Sequence, residues 1–300
     1  MNFFLTGGTG FLGSNVLQGL IDSKYEVYVL TRNETKLANL NGGNVHIVHG
    51  DLSTIKDVDC PDFDICLHFA WGGVNRNGVT DAEVQKNSYE NTCQLLSFCE
   101  EHKCSTFIDA GSRQEYIPTN EIITENTTCA PVSEYGKWKL KANEYAKHFC
   151  QESDIQYIHL RIFSVYGFGD HPWSLISTLI EKLSNNEDVQ LGECKQHWSF
   201  LHISDFVQSI LCVIEKRQSL SDYEVFNIAS DDIRELRDFV VSVKDILNSK
   251  GELMFGSFRQ NRESVMSLKP SIKRAETKLG WSAKKSFKDG IINIVKKQAQ

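Results

Sequence analysis

The chain has 300 residues, enough for about two domains and a substantial buried core. Apolar residues make up 41% and charged residues 24%, as in ordinary soluble globular proteins, and no run approaches the roughly twenty apolar residues of a membrane span. The formal net charge of −7 argues against a general nucleic-acid-binding protein, but it is compatible with a small phosphorylated ligand.

Cysteine usage and the N-terminus predict a cytoplasmic protein. The nine cysteines are scattered, without a CxxC pair or a Cys/His cluster at metal-ligand spacing, so we expect no metal site. Most of them lie in or beside apolar stretches and are expected to be reduced packing residues, which suits a reducing compartment. The apolar run Phe3–Leu5 is broken at once by Gly7 and Gly8, unlike a signal peptide.

The first half of the chain alternates short β-rich segments with amphipathic helical segments. Strands are predicted at Asn2–Thr6, Glu26–Thr31, Val45–Val48, Asp64–Phe69, Thr106–Ala110 and Tyr157–Phe163. Helices are predicted between them at Phe11–Ile21, Val84–His102 and Ser133–Cys150. This alternation predicts an α/β fold with a doubly wound parallel sheet that helices cover on both faces.

After Gly167 helical patterns dominate. Short strands are predicted at Phe200–His202 and Glu224–Ile228, and helices at Trp173–Leu183, Ser204–Ile214 with Ser204 as N-cap, Leu236–Leu247, Ile272–Leu279 and Phe287–Lys296. We therefore expect one domain of residues 1–165, rejoined by about 200–228. A smaller, interleaved domain would comprise 166–199 and 229–300.

A glycine-rich turn joins the first predicted strand to the first predicted helix. In Thr6-Gly7-Gly8-Thr9-Gly10-Phe11-Leu12-Gly13, three glycines permit a tight turn, close approach of a phosphate to the backbone, and close packing of helix on strand. The free N–H groups at the helix start would then face a pyrophosphate. A glycine triplet alone is weak, but with strand and helix both present it predicts a Rossmann-type dinucleotide site. The expected contacts are Gly7, Thr9, Gly10, Phe11, Leu12 and Gly13.

The end of the second strand bears on which dinucleotide is bound. An NAD site usually places Asp or Glu there, whereas this chain has Thr31-Arg32-Asn33. Arg32 could bind a 2′-phosphate with no carboxylate to repel it, so NADP(H) is preferred and NAD(H) remains possible; the alternative is a solvated surface arginine. Asp51, followed by Leu52, is placed to accept from the adenine amino group, although a turn-forming aspartate is nearly as consistent with the local sequence.

Tyr135 and Lys139 lie four residues apart, on one face of the second long helix. An ammonium near a phenol lowers the phenol pKa and makes it a usable acid or base. Ser112 follows the fifth predicted strand, where its hydroxyl could hydrogen-bond a substrate carbonyl while Tyr135 transfers a proton. Tyr135 and Lys139 alone could be an accidental helix pair, and Ser112 is what strengthens the catalytic interpretation.

With these residues in place, the chain resembles the extended short-chain dehydrogenase/reductases of the nucleotide-sugar epimerase/dehydratase group, nearly from end to end. The resemblance rests on TGGTGFLG (6–13), GDL (50–52), HFAW (68–71), Ser112 with Tyr116, Tyr135 with Lys139, RIFSVYG (161–167), FLHISDF (200–206) and LGW (279–281). It implies that Tyr135 is the general acid/base, that Lys139 holds the nicotinamide ribose, and that Ser112 orients the substrate. It also places Phe69, Ala70 and Phe163 beside the cofactor and directs Trp71 and Gln114 toward a sugar. The family pattern further implies a homodimer built on the two long helices.

Departures from the family pattern reduce the number of reactions that the chain is expected to catalyse. Sugar dehydratases follow the catalytic hydroxyl residue with Asp-Glu, where this chain has Arg113-Gln114, and fucose-type epimerase/reductases have a Cys at the position of Gln114. Ser164 and Trp198 replace the usual Asn and Arg that grip the nucleotide diphosphate. Arg259 or Arg262 is therefore expected to supply the missing cation, the alternative being an ordinary surface residue.

The leading prediction is an NADPH-dependent 4-ketoreductase for a nucleotide-linked 4-keto-6-deoxy sugar, acting in deoxysugar or surface-polysaccharide biosynthesis. Trp71-Gly72-Gly73 also resembles reductases that complete deoxysugars. The alternative enzyme is an NAD-dependent nucleotide-sugar 4-epimerase, which keeps its dinucleotide bound. The alternative of another class is a dinucleotide-sensing regulatory protein, which typically lacks the Tyr or the Lys. Nucleic acid and membrane are not expected as partners.

Overall fold

The computed structural model describes residues 1–37, 43–75, 77–257 and 267–299. In these ranges the strands are β1 (Asn2–Thr6), β2 (Glu26–Thr31), β3 (Val45–His49), β4 (Ile65–His68), β5 (Thr106–Ser112), β6 (Ile122–Ile123), β7 (Gln156–Ile162), β8 (Val165–Tyr166), β9 (Val189–Leu191), β10 (His197–Ser199), β11 (Leu201–His202), β12 (Tyr223–Ile228), β13 (Ile233–Glu235), β14 (Leu253–Phe255) and β15 (Lys269–Pro270). The helices are α1 (Phe11–Asp22), α2 (Ala82–Glu101), α3 (Glu134–Glu152), α4 (Leu175–Ser184), α5 (Ile203–Lys216), α6 (Leu236–Leu247), α7 (Lys273–Leu279) and α8 (Phe287–Gln298).

Seven of the described strands form the central sheet, in the order β12-β7-β5-β4-β1-β2-β3. The pairings from β7 through β3 are parallel. The strand order reverses at β1, so right-handed crossovers place α1 and α2 on opposite faces. The predicted doubly wound Rossmann-type sheet is confirmed. At this reversal the carboxyl ends of β1 and β4 form the crevice where such sheets bind ligands.

Most predicted elements are present, with small shifts at their ends. β1 and β2 have the predicted limits, and β5 runs two residues past the predicted Ala110, so that Ser112 is its last residue. The prediction that Ser204 is an N-cap is wrong, because α5 already includes it. The His202 ring nitrogen Nδ1 accepts instead from the Ser204 backbone N–H.

The chain divides into two compact units. Unit 1 comprises Met1–Ile117, Thr127–Ile162 and Ile210–Asn227, and unit 2 comprises Pro118–Asn126, Phe163–Ser209 and Ile228–Gln300. Each has its own apolar core: Phe4, Phe63, Phe98 and Phe107 are buried in unit 1, and Phe200, Phe239 and Phe287 in unit 2. The domain limits given above stay a prediction, because compact units need not be independently folding domains.

All nine cysteines are free thiols, and six of them are buried. Burial raises the pKa of several, Cys60 to about 12, so these are unreactive packing groups. Within the described residues, no helix is both long enough and apolar enough to cross a membrane.

Candidate active site

The loop between β1 and α1 is closed so tightly that no side chain would fit at Gly7 or Gly13. Gly7 has φ +74°, and a Cβ there would lie 2.6 Å from the Ala70 nitrogen. A Cβ on Gly13 would lie 2.2 Å from the Gly7 carbonyl oxygen. Gly10 is the N-cap of α1, has no side chain to cap it, and is followed by no acidic residue in the first turn. The backbone N–H groups at this helix start are therefore suited to an anionic group such as a pyrophosphate.

Most of the predicted cofactor contacts of this loop lie at its accessible surface. Gly10 is exposed, Thr9, Phe11 and Leu12 are partly exposed, and Gly13 is buried beneath them. The residues predicted to bind the dinucleotide thus fall into two groups. Gly7 and Gly13 set the backbone geometry, and the residues between them form the surface that a ligand can reach.

A buried hydrogen-bond chain fixes the end of β4 against this loop. The Thr6 hydroxyl lies 2.7 Å from His68 Nδ1 and accepts from the Ala70 N–H at 3.3 Å. His68 Nε2 is hydrogen-bonded to the Thr92 hydroxyl at 3.0 Å. Burial lowers the pKa of His68 to about 3, so the ring is neutral and acts as a spacer between β1 and α2. This role of Thr6 and Thr92 is not evident from the sequence, because each lies more than twenty residues from His68.

Arg32 and Asp51 meet at the end of β2. Arg32 Nε lies 3.3 Å from Asp51 Oδ2, and the Arg32 side chain is 81% exposed. The other carboxylate oxygen accepts from the backbone and hydroxyl of Ser53 and caps the 3₁₀ helix Leu52–Asp57. The Ser53 N–H, with a smaller contribution from Arg32, lowers the pKa of Asp51.

This arrangement corrects one expectation. The prediction that no carboxylate is present to repel a 2′-phosphate at Arg32 is wrong, because β3 and the turn after it bring Asp51 to the end of β2. The Oδ1 contacts of Asp51 with Ser53 are those of a turn-forming aspartate. A contact of Asp51 with adenine stays a prediction. Leu52 is partly buried against the apolar core of unit 1.

Ser112, Tyr135 and Lys139 are brought together in unit 1. Ser112 ends β5, and its hydroxyl accepts from the Gln114 N–H at 3.1 Å. Its side chain is close enough to the Tyr135 phenol to lower the pKa of that group. Lys139 is 4% exposed and donates to the Ala110 carbonyl at 2.8 Å, and its ammonium lies 3.6 Å from the centroid of the Trp71 ring. The buried Ser112 hydroxyl and Lys139 ammonium thus lie in the same part of unit 1 as the partly exposed Tyr135 phenol, as a proton-transferring site requires.

The electrostatics differ from the sequence expectation. The prediction that Lys139 lowers the pKa of Tyr135 is wrong, because burial raises that pKa to about 12 although the Ser112 side chain acts to lower it. Burial also lowers the pKa of Lys139 to about 8, although Asp109 and Glu115 oppose the change. Near neutral pH Tyr135 is therefore a neutral phenol and Lys139 a cation.

Gln114, predicted to face a substrate, is anchored at the start of α3. Its Oε1 accepts from the Ser133 hydroxyl at 2.7 Å, and Ser133 is the N-cap of α3. Gly136 allows the Gln114 carbonyl to pack on the helix, since a Cβ there would lie 2.2 Å from that oxygen. The hydrogen bond and the close packing fix the Arg113-Gln114 segment relative to Tyr135.

Comparison with known proteins agrees with this geometry. Residues 3–229 match the NAD dependent epimerase/dehydratase family. The chain belongs to that family. It is 26% identical to a putative UDP-glucose 4-epimerase of Methanocaldococcus jannaschii, over 97% of this chain and 96% of the relative. It is 23% identical to a CDP-abequose synthase of Yersinia pseudotuberculosis (99% and 100% covered) and 27% to a dTDP-4-dehydro-6-deoxyglucose reductase of Escherichia coli (72% and 68%).

Solved structures support the same fold. A UDP-glucose 4-epimerase of Thermotoga maritima, solved with UDP-glucose, superposes with a TM-score of 0.87 at 22% identity, with both chains fully covered. A UDP-glucuronic acid 4-epimerase of Bacillus cereus, solved with NAD, superposes with a TM-score of 0.84 at 22% identity, again with both chains fully covered. At these identities the likeness confirms the architecture of this family member.

Two predicted residues, Phe163 and Ser164, lie in unit 2. Phe163 is buried, and its N–H donates to the Ile228 carbonyl at 3.0 Å. Ser164 is partly exposed, and its carbonyl accepts from the Leu201 N–H at 2.9 Å. Arg259 and Arg262 lie outside the described residues. The roles of all four stay predictions.

A buried set of charges beneath Ser112 was not anticipated from the sequence. Glu115 has no exposed surface; it accepts from the Ser112 N–H at 2.6 Å, from His159 Nε2 at 2.9 Å and from Arg161 Nε at 2.9 Å. His159 Nδ1 lies 2.7 Å from Asp109 Oδ1. Burial opposes both charges, but His159 and Arg161 lower the pKa of Glu115 to about 2, and Asp109 and Glu115 raise that of His159 to about 9. We call Asp109, Glu115, His159 and Arg161 the buried charge cluster.

Proposed function

We propose that this chain uses NADPH to reduce the C4 ketone of a nucleotide-linked 4-keto-6-deoxy sugar. The uncapped start of α1 and the glycine loop would hold the pyrophosphate, and Lys139 would hold the nicotinamide ribose. A bound reduced nicotinamide supplies the hydride. The Ser112 hydroxyl positions the ketone oxygen, and Tyr135 delivers the proton to that oxygen as the hydride arrives at C4.

The observation that carries the proposal is the position of Tyr135, one helical turn from the buried Lys139 on α3 and against the same Trp71 ring. With a pKa near 12, the phenol is neutral and can act as the proton donor that ketone reduction needs. Oxidation of a sugar alcohol would instead need the phenolate as base. The segment beside it bears Arg113 and Gln114, which offer neither the acid nor the base that elimination of water from C5 and C6 would use.

The substrate class is supported by the named relatives. Two of them carry names of deoxysugar enzymes, CDP-abequose synthase and dTDP-4-dehydro-6-deoxyglucose reductase. Arg32 supports NADPH, since its exposed guanidinium is free to rotate from Asp51 to a 2′-phosphate with little change in burial. The sugar diphosphate would be gripped in part by Ser164 and by Arg259 or Arg262.

The second candidate is an NAD-dependent 4-epimerase. Its support is the name of the relative from Methanocaldococcus jannaschii and the carboxylate of Asp51 near the ribose end of the predicted dinucleotide site. A dinucleotide-sensing regulator is the least supported alternative. Such proteins typically lack the Tyr or the Lys, whereas Ser112, Tyr135 and Lys139 are all present here and lie in the same part of unit 1.

We further propose a cytoplasmic homodimer. The free thiols suit a reducing compartment. On the surface of α2 and α3, Tyr89 stands 5.5 Å from Trp138 and 6.1 Å from Tyr145 between ring centroids, and Tyr145 is 36% exposed. Such an aromatic surface is suited to burial against a second copy. Light scattering of the wild type and of Tyr145→Glu tests it: we expect a dimer that the glutamate dissociates, and a wild-type monomer would contradict it.

The enzymatic test combines NADPH with freshly prepared NDP-4-keto-6-deoxy sugars and follows absorbance of the reduced nicotinamide. We expect substrate-dependent loss of NADPH in the wild type. Tyr135→Phe keeps the ring but removes the transferable proton, and should slow the reaction about 10²–10⁴-fold with dinucleotide affinity unchanged. If no sugar consumes NADPH and the protein interconverts two NDP-hexoses without net redox change, the epimerase is correct.

A further inference from the structure

The loop that follows β4 is built around one buried amide, that of Gln85. Gln85 lies in the first turn of α2 and has no exposed surface. Its Nε2 donates toward the carbonyls of Gly72, Gly73 and Gly78 at 3.3, 3.1 and 2.9 Å. Its Oε1 accepts from the Trp71 indole N–H at 2.6 Å. All the hydrogen bonds of the Gln85 amide are thus made with one loop, and the conformation of that loop depends on the amide.

Glycines make this wrapping possible. Gly73 has φ +63°, and a Cβ there would lie 2.7 Å from Gln85 Nε2. A Cβ on Gly78 would lie 2.4 Å from the Gly73 Cα. The Gly72 N–H is held as well, by the Ser88 hydroxyl at 3.0 Å. The result is that Gln85 and Ser88 hold the described glycines of this loop, and Gln85 also holds the Trp71 indole by a hydrogen bond.

The fixed indole meets two of the catalytic candidates. Its ring face lies 3.6 Å from Lys139 Nζ, and its plane is perpendicular to the Tyr135 ring, with centroids 6.3 Å apart. Lys139 is almost fully buried, with the Ala110 carbonyl as its hydrogen-bond acceptor. Away from water, an aromatic face attracts an ammonium strongly but, unlike a carboxylate, brings no charge of its own.

We propose that Trp71, held by Gln85, is a positioning residue that fixes the Lys139 ammonium for the dinucleotide ribose. The proposal rests on the proposed function only in assigning Lys139 to the ribose. The Ala110 carbonyl holds the ammonium from one side and the Trp71 face from another. The N–H groups of Lys139 that point elsewhere are then directed to the ribose hydroxyls instead of sweeping through several rotamers.

A double-mutant cycle in dinucleotide affinity tests this without any sugar. NADPH binding is measured by calorimetry for the wild type, Trp71→Leu, Lys139→Met and the double variant. We expect Trp71→Leu to weaken binding about tenfold when Lys139 is present, as for a desolvated cation–π contact. In the Lys139→Met background the same change should have less than about a twofold effect, since the group it positions is gone.

Three further variants separate positioning from general support of the fold. Trp71→Phe keeps an aromatic face and should retain most of the affinity. Gln85→Met fills the same space without the hydrogen bonds, so it should weaken binding like Trp71→Leu and add little to it in combination. Trp173→Leu removes an indole that is 58% exposed in unit 2 and should leave the affinity unchanged. Thermal unfolding of every variant confirms that it is folded.

Equal weakening by Trp71→Leu in both backgrounds would overturn the proposal, because Trp71 would then act on the dinucleotide directly or through the fold. Unchanged affinity in Trp71→Leu, or in Lys139→Met, would overturn it as well. The outcome is independent of the reductase assay. A chain that reduces no sugar can still show the coupling, and an active reductase can lack it.

Discussion

Two arginine–carboxylate pairs in unit 1 are chemically alike and physically opposite. Arg32 and Asp51 lie 3.3 Å apart at the surface, with side chains 81% and 35% exposed. Arg161 and Glu115 lie 2.9 Å apart in the interior, with side chains 6% and 0% exposed. In water an ion pair contributes about 0–1 kcal/mol, whereas removing one partner of a buried pair costs about 3–5 kcal/mol. Because the two pairs differ in burial, Arg32 is available to bind a ligand, whereas Arg161 stabilises the fold.

The difference matters because each pair stands beside a proposed function. The exposed pair lies where the 2′ position of a dinucleotide is expected, and its arginine can exchange one anion for another at little cost. The buried pair holds Glu115, which accepts from the Ser112 N–H and so sets the position of the catalytic hydroxyl. Specificity thus rests on a weak, exchangeable contact, and catalytic geometry on a strong, permanent one.

The largest expected effect comes from breaking the buried pair. Glu115→Gln removes the charge that His159 and Arg161 share and should lower the free energy of unfolding by about 3–5 kcal/mol. Asp51→Asn is the matched change at the surface and should alter it by less than about 1 kcal/mol. Urea unfolding of both variants measures the contrast. Similar losses in the two would refute the distinction between them.

The buried charge cluster also predicts how stability depends on pH. The pKa of His159 is raised to about 9, so its contribution is fully present below its unfolded pKa of about 6.5 and is lost as pH rises through 9. The pKa of Glu115 is lowered to about 2, so its contribution is present above about 4.3 and is lost as pH falls toward 2.

Urea unfolding between pH 6 and 10 tests the alkaline limb, with His159→Gln as reference. The difference in unfolding free energy between wild type and variant should shrink as pH rises through 9. Taking this difference cancels the contributions of other titrating groups, such as Lys139, that both proteins share. A difference that stays constant across this range would mean that His159 does not carry the charge assigned to it.

A smaller effect is expected from Arg32. If it binds a 2′-phosphate, Arg32→Ala should weaken NADPH binding about tenfold, the equivalent of one charged hydrogen bond, and barely change NADH binding. Stability should change by less than about 0.5 kcal/mol, because the side chain is exposed. Calorimetric titration with both dinucleotides decides it: equal losses, or none, would show that Arg32 does not read the phosphate.

The smallest effect sharpens the comparison. Asp51→Asn removes the carboxylate that competes with a 2′-phosphate for Arg32, and should tighten NADPH binding by up to about fivefold, in line with a surface ion pair. NADH binding should not tighten in the same way. Weaker binding of both dinucleotides would instead support the predicted contact of Asp51 with adenine.

These pairs also show what the sequence could and could not predict. The strands, the long helices and the glycine loop were predictable because their signals are local: β-rich runs, apolar spacing, and glycines between strand and helix. Ser112, Tyr135 and Lys139 were identifiable from spacing and resemblance. The contact of Asp51 with Arg32 was missed because it joins the ends of two strands across the sheet.

The buried charge cluster and Gln85 were missed for the same physical reason. Glu115 and His159 are 44 residues apart, and only the pairing of β5 with β7 makes them neighbours. In the sequence Gln85 resembles an ordinary polar helix residue. Its role becomes evident only in the structure, where the loop after β4 wraps around it. The pKa of Tyr135 depends on burial, which no spacing pattern reports.

The most direct test of the proposed reaction follows the hydride itself. NADPH labelled with deuterium at the transferring position of C4 is mixed with excess enzyme and an NDP-4-keto-6-deoxy sugar, and the product is analysed by mass spectrometry and NMR. We predict one deuterium at C4 of the product sugar for each NADP⁺ formed, with little product in Tyr135→Phe on the same timescale. A sugar product without deuterium, formed while the labelled NADPH remains intact, would contradict the account.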